Sequence, residues 1–116
     1  SNHGGRVLDE MAGTMDVLED IIREVKGHIR ILVDGGFRTG VDILKALAMG
    51  ADFVLIGRPI AIAAVGMGSR GVTHYINNLK KDLQQAMILT GCKDISEISS
   101  EIVKKMNNGK TLYTVS

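Results

Sequence analysis

The sequence predicts an α/β fold of parallel strands that is incomplete as an independent unit. Two short apolar runs, residues 29–33 and 53–56, have the composition of strands buried on both faces of a parallel sheet. A helical pattern lies between them, and its length suits a right-handed parallel crossover. Because a two-stranded sheet is marginal alone, this order matches about a quarter of an α/β barrel, or one end of a doubly wound sheet.

Two helices are predicted around the first strand. Thr14 and Thr39 suit N-caps, and Asp42 stands three residues after the second of these in a capping-box position. Gly27 and Gly50 suit the ends of the two helices. Apolar residues at helical spacing supply the buried stripes, which are Val17, Leu18, Ile21, Ile22 and Val25 in the first helix and Val41, Leu44, Leu47 and Ala48 in the second.

The C-terminal half is predicted to be helical. The glycine-rich segment 61–71 allows a short helical turn, and a long amphipathic helix then begins at Val72 and ends at Gly91. Asp94 suits the start of a final helix, which the run Asn107-Asn108-Gly109 would end. The tail 110–116 carries no clear signal.

Composition excludes several classes of partner. The 14 basic and 13 acidic residues nearly cancel, so neither nucleic acid nor a membrane surface is an expected partner. No apolar run approaches the roughly 20 residues of a membrane span. Cys92 is the single cysteine, which rules out an intrachain disulfide and favours a reducing, cytoplasmic location.

The strongest chemical signal lies at the ends of the two predicted strands, where glycine and arginine recur together. Glycine lets the backbone approach an anion, a helix start adds partial positive charge, and arginine can grip a phosphate with two hydrogen bonds. In eight-stranded barrels the loops after the last two strands frequently bind phosphate. The alternative is a pair of ordinary turns with solvated arginines, but the repetition favours one shared anion site. Its residues are Asp34, Gly35, Gly36, Phe37 and Arg38 after the first strand, and Gly57 and Arg58 after the second.

The opening loop, residues 1–13, contains a second candidate pair. His3 could act as a base near neutral pH, and Arg6 could hold a carboxylate. Judged from the residues alone, two polar side chains in such a loop are more often simply solvated. His28, His74 and Cys92 lack ligand-like spacing, so no metal site is predicted.

Five segments together resemble the C-terminal part of the FMN-dependent 2-hydroxy-acid dehydrogenases and oxidases, the family of glycolate and lactate oxidases. They occur in the family's order over nearly the whole chain. They are Ser1-Asn2-His3-Gly4-Gly5-Arg6-Val7-Leu8-Asp9, Asp34-Gly35-Gly36-Phe37-Arg38-Thr39-Gly40, Lys45-Ala46-Leu47-Ala48-Met49-Gly50-Ala51, Ile56-Gly57-Arg58-Pro59 and Met87-Ile88-Leu89-Thr90-Gly91-Cys92.

This resemblance implies the C-terminal portion of an FMN-binding (β/α)8 TIM barrel. Residues 1–13 would be the active-site loop, 29–59 the phosphate-binding strand-helix-strand unit, and 72–109 the C-terminal helices. His3 would be the catalytic base and Arg6 would bind the substrate carboxylate. The seven strand-end residues given above would bind the FMN phosphate.

The implied reaction oxidises a small 2-hydroxy acid, such as lactate or glycolate, to the 2-oxo acid in a homo-oligomeric enzyme. The family's first strands are absent from the 116 residues. Those strands supply most flavin-ring contacts, an aspartate that partners the histidine, a substrate-binding tyrosine and a lysine near the flavin. The chain alone is therefore expected to be inactive without an N-terminal barrel segment.

Two alternatives remain open from the sequence. One is a related phosphate-gripping flavin barrel, the FMN-dependent isopentenyl diphosphate isomerase, although His3 and Arg6 fit the hydroxy-acid enzymes better. The other is a non-catalytic truncated remnant that associates through its unpaired strand edges.

Overall fold

The computed structural model of the protein describes residues 1–107 and 111–115. Its main elements are α1 (Thr14–Val25), β1 (Leu32–Val33), α2 (Gly40–Met49), β2 (Phe53–Val54), α3 (Arg58–Leu89), β3 (Val103–Asn107) and β4 (Thr111–Val115). Short 3₁₀ helices span His3–Arg6, Ile95–Glu97 and Ser100–Ile102.

The central unit is the parallel pair of β1 and β2, with α2 as the crossover. Leu32 lies opposite Phe53, and Val33 lies opposite Val54, so the parallel strand-helix-strand prediction is confirmed. The paired segments are shorter than the predicted runs 29–33 and 53–56. Backbone contact between the two segments nevertheless extends past the regular pairing, because the Ile31 carbonyl accepts the Asp52 N–H and the Val33 carbonyl accepts the Leu55 N–H, both at 2.8 Å.

The two strands are not buried on both faces, which corrects the expectation from their apolar composition. Ile31 and Val33 point into the core, whereas Leu32, Phe53 and Leu55 are 54%, 57% and 49% exposed. Successive strand side chains point to opposite faces, and helices α1 and α2 cover one face only. Among the described residues, no element covers the other apolar face of the strands.

Two apolar clusters hold the elements together. The first joins α1, α2 and the buried face of the strands through Leu18, Ile31, Val33, Phe37, Ala46 and Ala51. The second joins α2 to the end of α3 through Leu44, Ala86, Met87 and Cys92. Both clusters include α2, so this helix is the common support of the fold.

Helix α2 begins and ends as its sequence predicts. The Asp42 N–H donates to the Thr39 hydroxyl (3.2 Å), and the Asp42 carboxylate accepts the Thr39 N–H (2.9 Å). Gly50 ends the helix with a φ of +115°, which glycine adopts without strain.

Helix α1 begins one residue earlier than predicted. Gly13, not Thr14, is its N-cap, and the Asp16 carboxylate accepts the Gly13 N–H at 2.9 Å. The Thr14 hydroxyl donates instead to the main-chain carbonyl of Asp34. A tertiary partner thus replaces the local capping bond.

Helix α3 is longer than predicted and is interrupted. Segment 61–71, expected to hold only a short turn, is largely helical, and the break falls at Met67 and Gly68, which have non-helical backbone angles. Gly68 has a φ of +59°. A Cβ on Gly71 would lie 2.2 Å from the Ala63 carbonyl oxygen, so small residues let the pieces on either side of the break pack closely.

The predicted final helix is wrong. After Asp94, which caps a turn through the Ser96 N–H (2.9 Å), the chain forms two 3₁₀ turns and then the antiparallel pair of β3 and β4. Ile98 and Ile102 have helical spacing, yet they pack on the second cluster from these turns. Strand β4 lies in the tail where no element was expected, and its β-branched residues favour that pairing. Residues 108–110 and 116, which include most of the predicted helix stop, lie outside the described residues.

Candidate functional site

The opening loop presents its two candidate side chains on one side. Residues His3–Arg6 form a single 3₁₀ turn, in which side chains three residues apart lie one above the other. The carbonyl of Gly4 accepts the N–H groups of Val7 and Leu8, both at 3.0 Å, and so closes the turn. His3 and Arg6 are both exposed and are available to a ligand.

The loop after β1 needs its two glycines. Gly35 and Gly36 have φ values of +103° and +83°, a region that favours glycine. A Cβ on Gly35 would also lie 2.8 Å from the Thr14 hydroxyl oxygen, whereas one on Gly36 would meet no atom within 4 Å. Gly36 therefore leaves open space beside the backbone.

Phe37 anchors this loop to the core. Its side chain is 5% exposed and packs in the first apolar cluster with Leu18 and Val33. The aromatic ring therefore serves mainly to pack the core, and the backbone of Phe37 is the part best placed to contact a ligand in the cleft.

Arg38 is held through its backbone by two side chains that the sequence did not identify as part of the site. The Asp42 carboxylate accepts the Arg38 N–H at 3.0 Å, and the Tyr75 hydroxyl donates to the Arg38 carbonyl at 2.9 Å. The sequence identifies Asp42 as a capping residue from its position three residues after Thr39, but not as a partner of Arg38. Tyr75 resembled one more residue of an apolar stripe, because its partner lies on a different element.

The loop after β2 leads directly into α3. Gly57 is the N-cap of this helix and provides no side-chain capping bond, and Arg58 and Pro59 open its first turn. The start of α2, in contrast, is capped by the Thr39 hydroxyl, which accepts the Asp42 N–H. The uncapped start of α3 therefore presents backbone N–H groups and the Arg58 guanidinium together, an arrangement suited to an anion.

All nine predicted site residues line one cleft with a volume of about 1110 Å³. The structure thus brings the opening loop and both strand-end loops together, although they lie far apart in sequence. The nine are His3, Arg6, Asp34, Gly35, Gly36, Phe37, Arg38, Gly57 and Arg58.

Arginine side chains outnumber carboxylates in the cleft by three to two. Arg6, Arg38 and Arg58 line it, against the carboxylates of Asp9 and Asp34. Three guanidinium groups can bind more than one acidic group of a ligand, for example a phosphate and a carboxylate.

The described residues contain no cluster of three or more histidine, cysteine, aspartate or glutamate side chains that could hold a metal ion. Within the same part of the chain, no helix combines the length and apolar character needed to cross a membrane.

Solved structures with a similar fold include enzymes that oxidise mandelate. Mandelate oxidase with benzoyl-formic acid is 43% identical with a TM-score of 0.76, and the match covers 83% of this chain and 29% of that one. An active mutant of (S)-mandelate dehydrogenase is 40% identical with a TM-score of 0.78, over 87% of this chain and 28% of that one.

Sequence comparison gives the same assignment. The chain is 43% identical over 104 residues to 2-hydroxyacid oxidase 2 of Bos taurus, and 46% identical over 107 residues to a peroxisomal (S)-2-hydroxyacid oxidase of Arabidopsis thaliana. These matches cover 90% and 92% of the chain, which spans 30% of the length of each relative. The family model for FMN-dependent dehydrogenases matches residues 1–105. The chain therefore belongs to the FMN-dependent dehydrogenase family, as its motifs had indicated.

Proposed function

We propose that the protein carrying this chain uses FMN to oxidise a small 2-hydroxy acid to the 2-oxo acid. In this proposal the chain is the C-terminal portion of a (β/α)8 barrel. The observation that carries it is the meeting of His3 and Arg6 with both glycine-arginine loops in one cleft. The relatives named 2-hydroxyacid oxidases support this reaction over an isopentenyl diphosphate isomerase.

The strand-end loops fit the phosphate of FMN. A Cβ on Gly36 or Gly57 would meet no other atom within 4 Å, so both glycines leave room for an anion against the backbone. The start of α3 lacks a side-chain cap, and Arg38 and Arg58 line the same space. Backbone N–H groups and guanidinium groups would therefore bind the phosphate together.

The opening loop fits the reacting end of the substrate. Arg6 would bind the substrate carboxylate with its two-pronged guanidinium group and so fix the position of the adjacent hydroxyl-bearing carbon. His3, on the same face of the 3₁₀ turn, would take a proton either from the hydroxyl or from the carbon. FMN, when bound, supplies the acceptor for the two electrons.

The chain alone provides only part of such a site. Leu32, Phe53 and Leu55 leave one apolar face of its two strands exposed, and a complete barrel fills that face with side chains. We propose that an N-terminal barrel segment covers it, that the intact enzyme is a homo-oligomer, and that the 116 residues alone neither retain flavin nor turn over substrate.

Anaerobic flavin bleaching tests the proposed reaction. We expect lactate or glycolate to bleach the flavin of the intact protein, and His3→Gln to retain flavin while losing at least 100-fold in the bleaching rate, because a positioned base contributes about that much. Glu24→Gln on the exposed side of α1 is the matched control and should bleach normally. Failure of a panel of small and aromatic 2-hydroxy acids to bleach the wild type would contradict the proposal.

A further inference from the structure

Tyr75 connects α3 to the loop after β1. Its hydroxyl donates to the main-chain carbonyl of Arg38 at 2.9 Å, across 37 positions of the chain. The side chain is half-buried and lines the same cleft as Arg38 and Arg58. Tyr75 therefore lies beside the proposed anion site, and its hydroxyl donates a hydrogen bond to the backbone of another cleft residue.

The bond from Tyr75 completes the restraint of Arg38. The N–H of Arg38 donates to the Asp42 carboxylate at 3.0 Å, so both backbone polar groups of this residue are engaged. Phe37, the residue before Arg38, is itself fixed because its ring is buried in the core. The Arg38 guanidinium is exposed, but the backbone from which its side chain extends is fixed.

The Tyr75 hydroxyl remains a donor at neutral pH. Partial burial, together with the carboxylates of Asp42 and Asp82, raises the pKa of Tyr75 above its ordinary value of 10.0, while Arg38 acts in the opposite direction. Protonated tyrosine can donate to a carbonyl, whereas tyrosinate cannot.

We propose that Tyr75 is a positioning residue for phosphate binding, which acts by fixing the backbone of Arg38. It need not touch the phosphate. A guanidinium that extends from a fixed backbone loses less conformational entropy when it binds, so the bond raises affinity for an anion without contacting it. This inference rests on the proposed function, because it takes the ligand phosphate to be that of FMN.

Tyr75→Phe is the test, since it removes the hydroxyl and retains the ring. The intact apoprotein is titrated with FMN and with riboflavin, which lacks the phosphate. We expect the variant to bind FMN about three- to tenfold more weakly, the range for loss of one neutral hydrogen bond, with riboflavin affinity unchanged. Asn77→Ala, an exposed neighbour on the same helix, is the control and should alter neither affinity.

The outcomes separate the two proposals. An unchanged FMN affinity in Tyr75→Phe, or an equal loss for FMN and riboflavin, would overturn the role of Tyr75 and leave the phosphate site intact. Equal wild-type affinities for FMN and riboflavin would instead overturn the phosphate site, and this inference with it.

Discussion

Gly40 at the start of α2 lies against the backbone of Leu83 on α3. A Cβ on Gly40 would stand 2.1 Å from the Leu83 nitrogen and 2.5 Å from the carbonyl carbon of Asp82. No side-chain rotation relieves a clash with main-chain atoms. The absence of a side chain at residue 40 is therefore what permits the close approach of the two helices.

We expect Gly40→Ala to lower the free energy of unfolding by about 1–3 kcal/mol, the usual cost of overpacking. Urea denaturation measures the change. Gly66→Ala is the control, because a Cβ there meets no atom within 4 Å and alanine favours a helix by up to about 1 kcal/mol. Equal stability of the two variants would contradict the close packing.

Asp52 should contribute to the acid sensitivity of the fold. Its carboxylate accepts the Ile31 N–H at 2.8 Å and pairs with Arg30 at 2.7 Å, and these contacts lower the pKa of Asp52 below its ordinary value of 3.8. A lowered pKa stabilises the folded state above the unfolded-state value, and this stabilisation is lost as the pH falls through the folded-state value.

Asp52→Asn should therefore flatten the decline in thermal unfolding temperature below about pH 5. Asp20→Asn is the control, since its carboxylate forms an exposed pair with Arg23 of the kind that contributes little. An unchanged pH profile for Asp52→Asn would show that the contacts with Arg30 and Ile31 do not stabilise the charged carboxylate.

The exposed face of the strands should make the isolated chain self-associate. Leu32 and Phe53 are paired neighbours and both are more than half exposed, and among the described residues no further strand pairs with the outer edges of β1 and β2. We expect Leu32→Lys combined with Phe53→Lys to shift the chain towards monomer in sedimentation velocity experiments. Ile88→Lys, an equally apolar exposed site on α3, is the control. A wild-type chain that is folded and strictly monomeric would argue against an uncovered barrel face.

Arg6→Lys should separate substrate binding from cofactor binding in the intact enzyme. Lysine retains the charge but cannot bind a carboxylate with two parallel hydrogen bonds, so KM should rise about tenfold or more while FMN affinity stays the same. Arg23→Lys, an exposed position on α1, should leave both unchanged. A simultaneous loss of flavin would place Arg6 in the cofactor site instead.

The features that the sequence predicts well are those that depend on neighbouring residues. Thr39, Asp42 and Gly50 define the ends of α2 because capping bonds act within a few positions. The opening-loop motif and the two glycine-arginine motifs likewise contain residues that line one cleft in the structure. What local patterns could not supply is long-range pairing, such as the bond from Tyr75 to Arg38.

The final helix was predicted wrongly for the same reason, because long-range contacts decide the structure of that segment. Ile98 and Ile102 have the spacing of a helix, but a helix is only one way to place two apolar side chains on a shared cluster. The pairing of β3 with β4 supplies backbone hydrogen bonds that local propensity does not reveal. Thr14 is not the N-cap that its sequence predicts, because its hydroxyl donates a hydrogen bond to the distant carbonyl of Asp34.

The first apolar cluster lies within the segment from Met15 to Ile56, so all its contacts fall in about one third of the chain. Cores made from local contacts form quickly, because little loop-closure entropy opposes them. Such a segment can act as an autonomous folding nucleus. If the chain is part of a barrel as proposed, that barrel is a candidate for fragment complementation, in which two separately synthesised pieces reassemble into one flavoprotein.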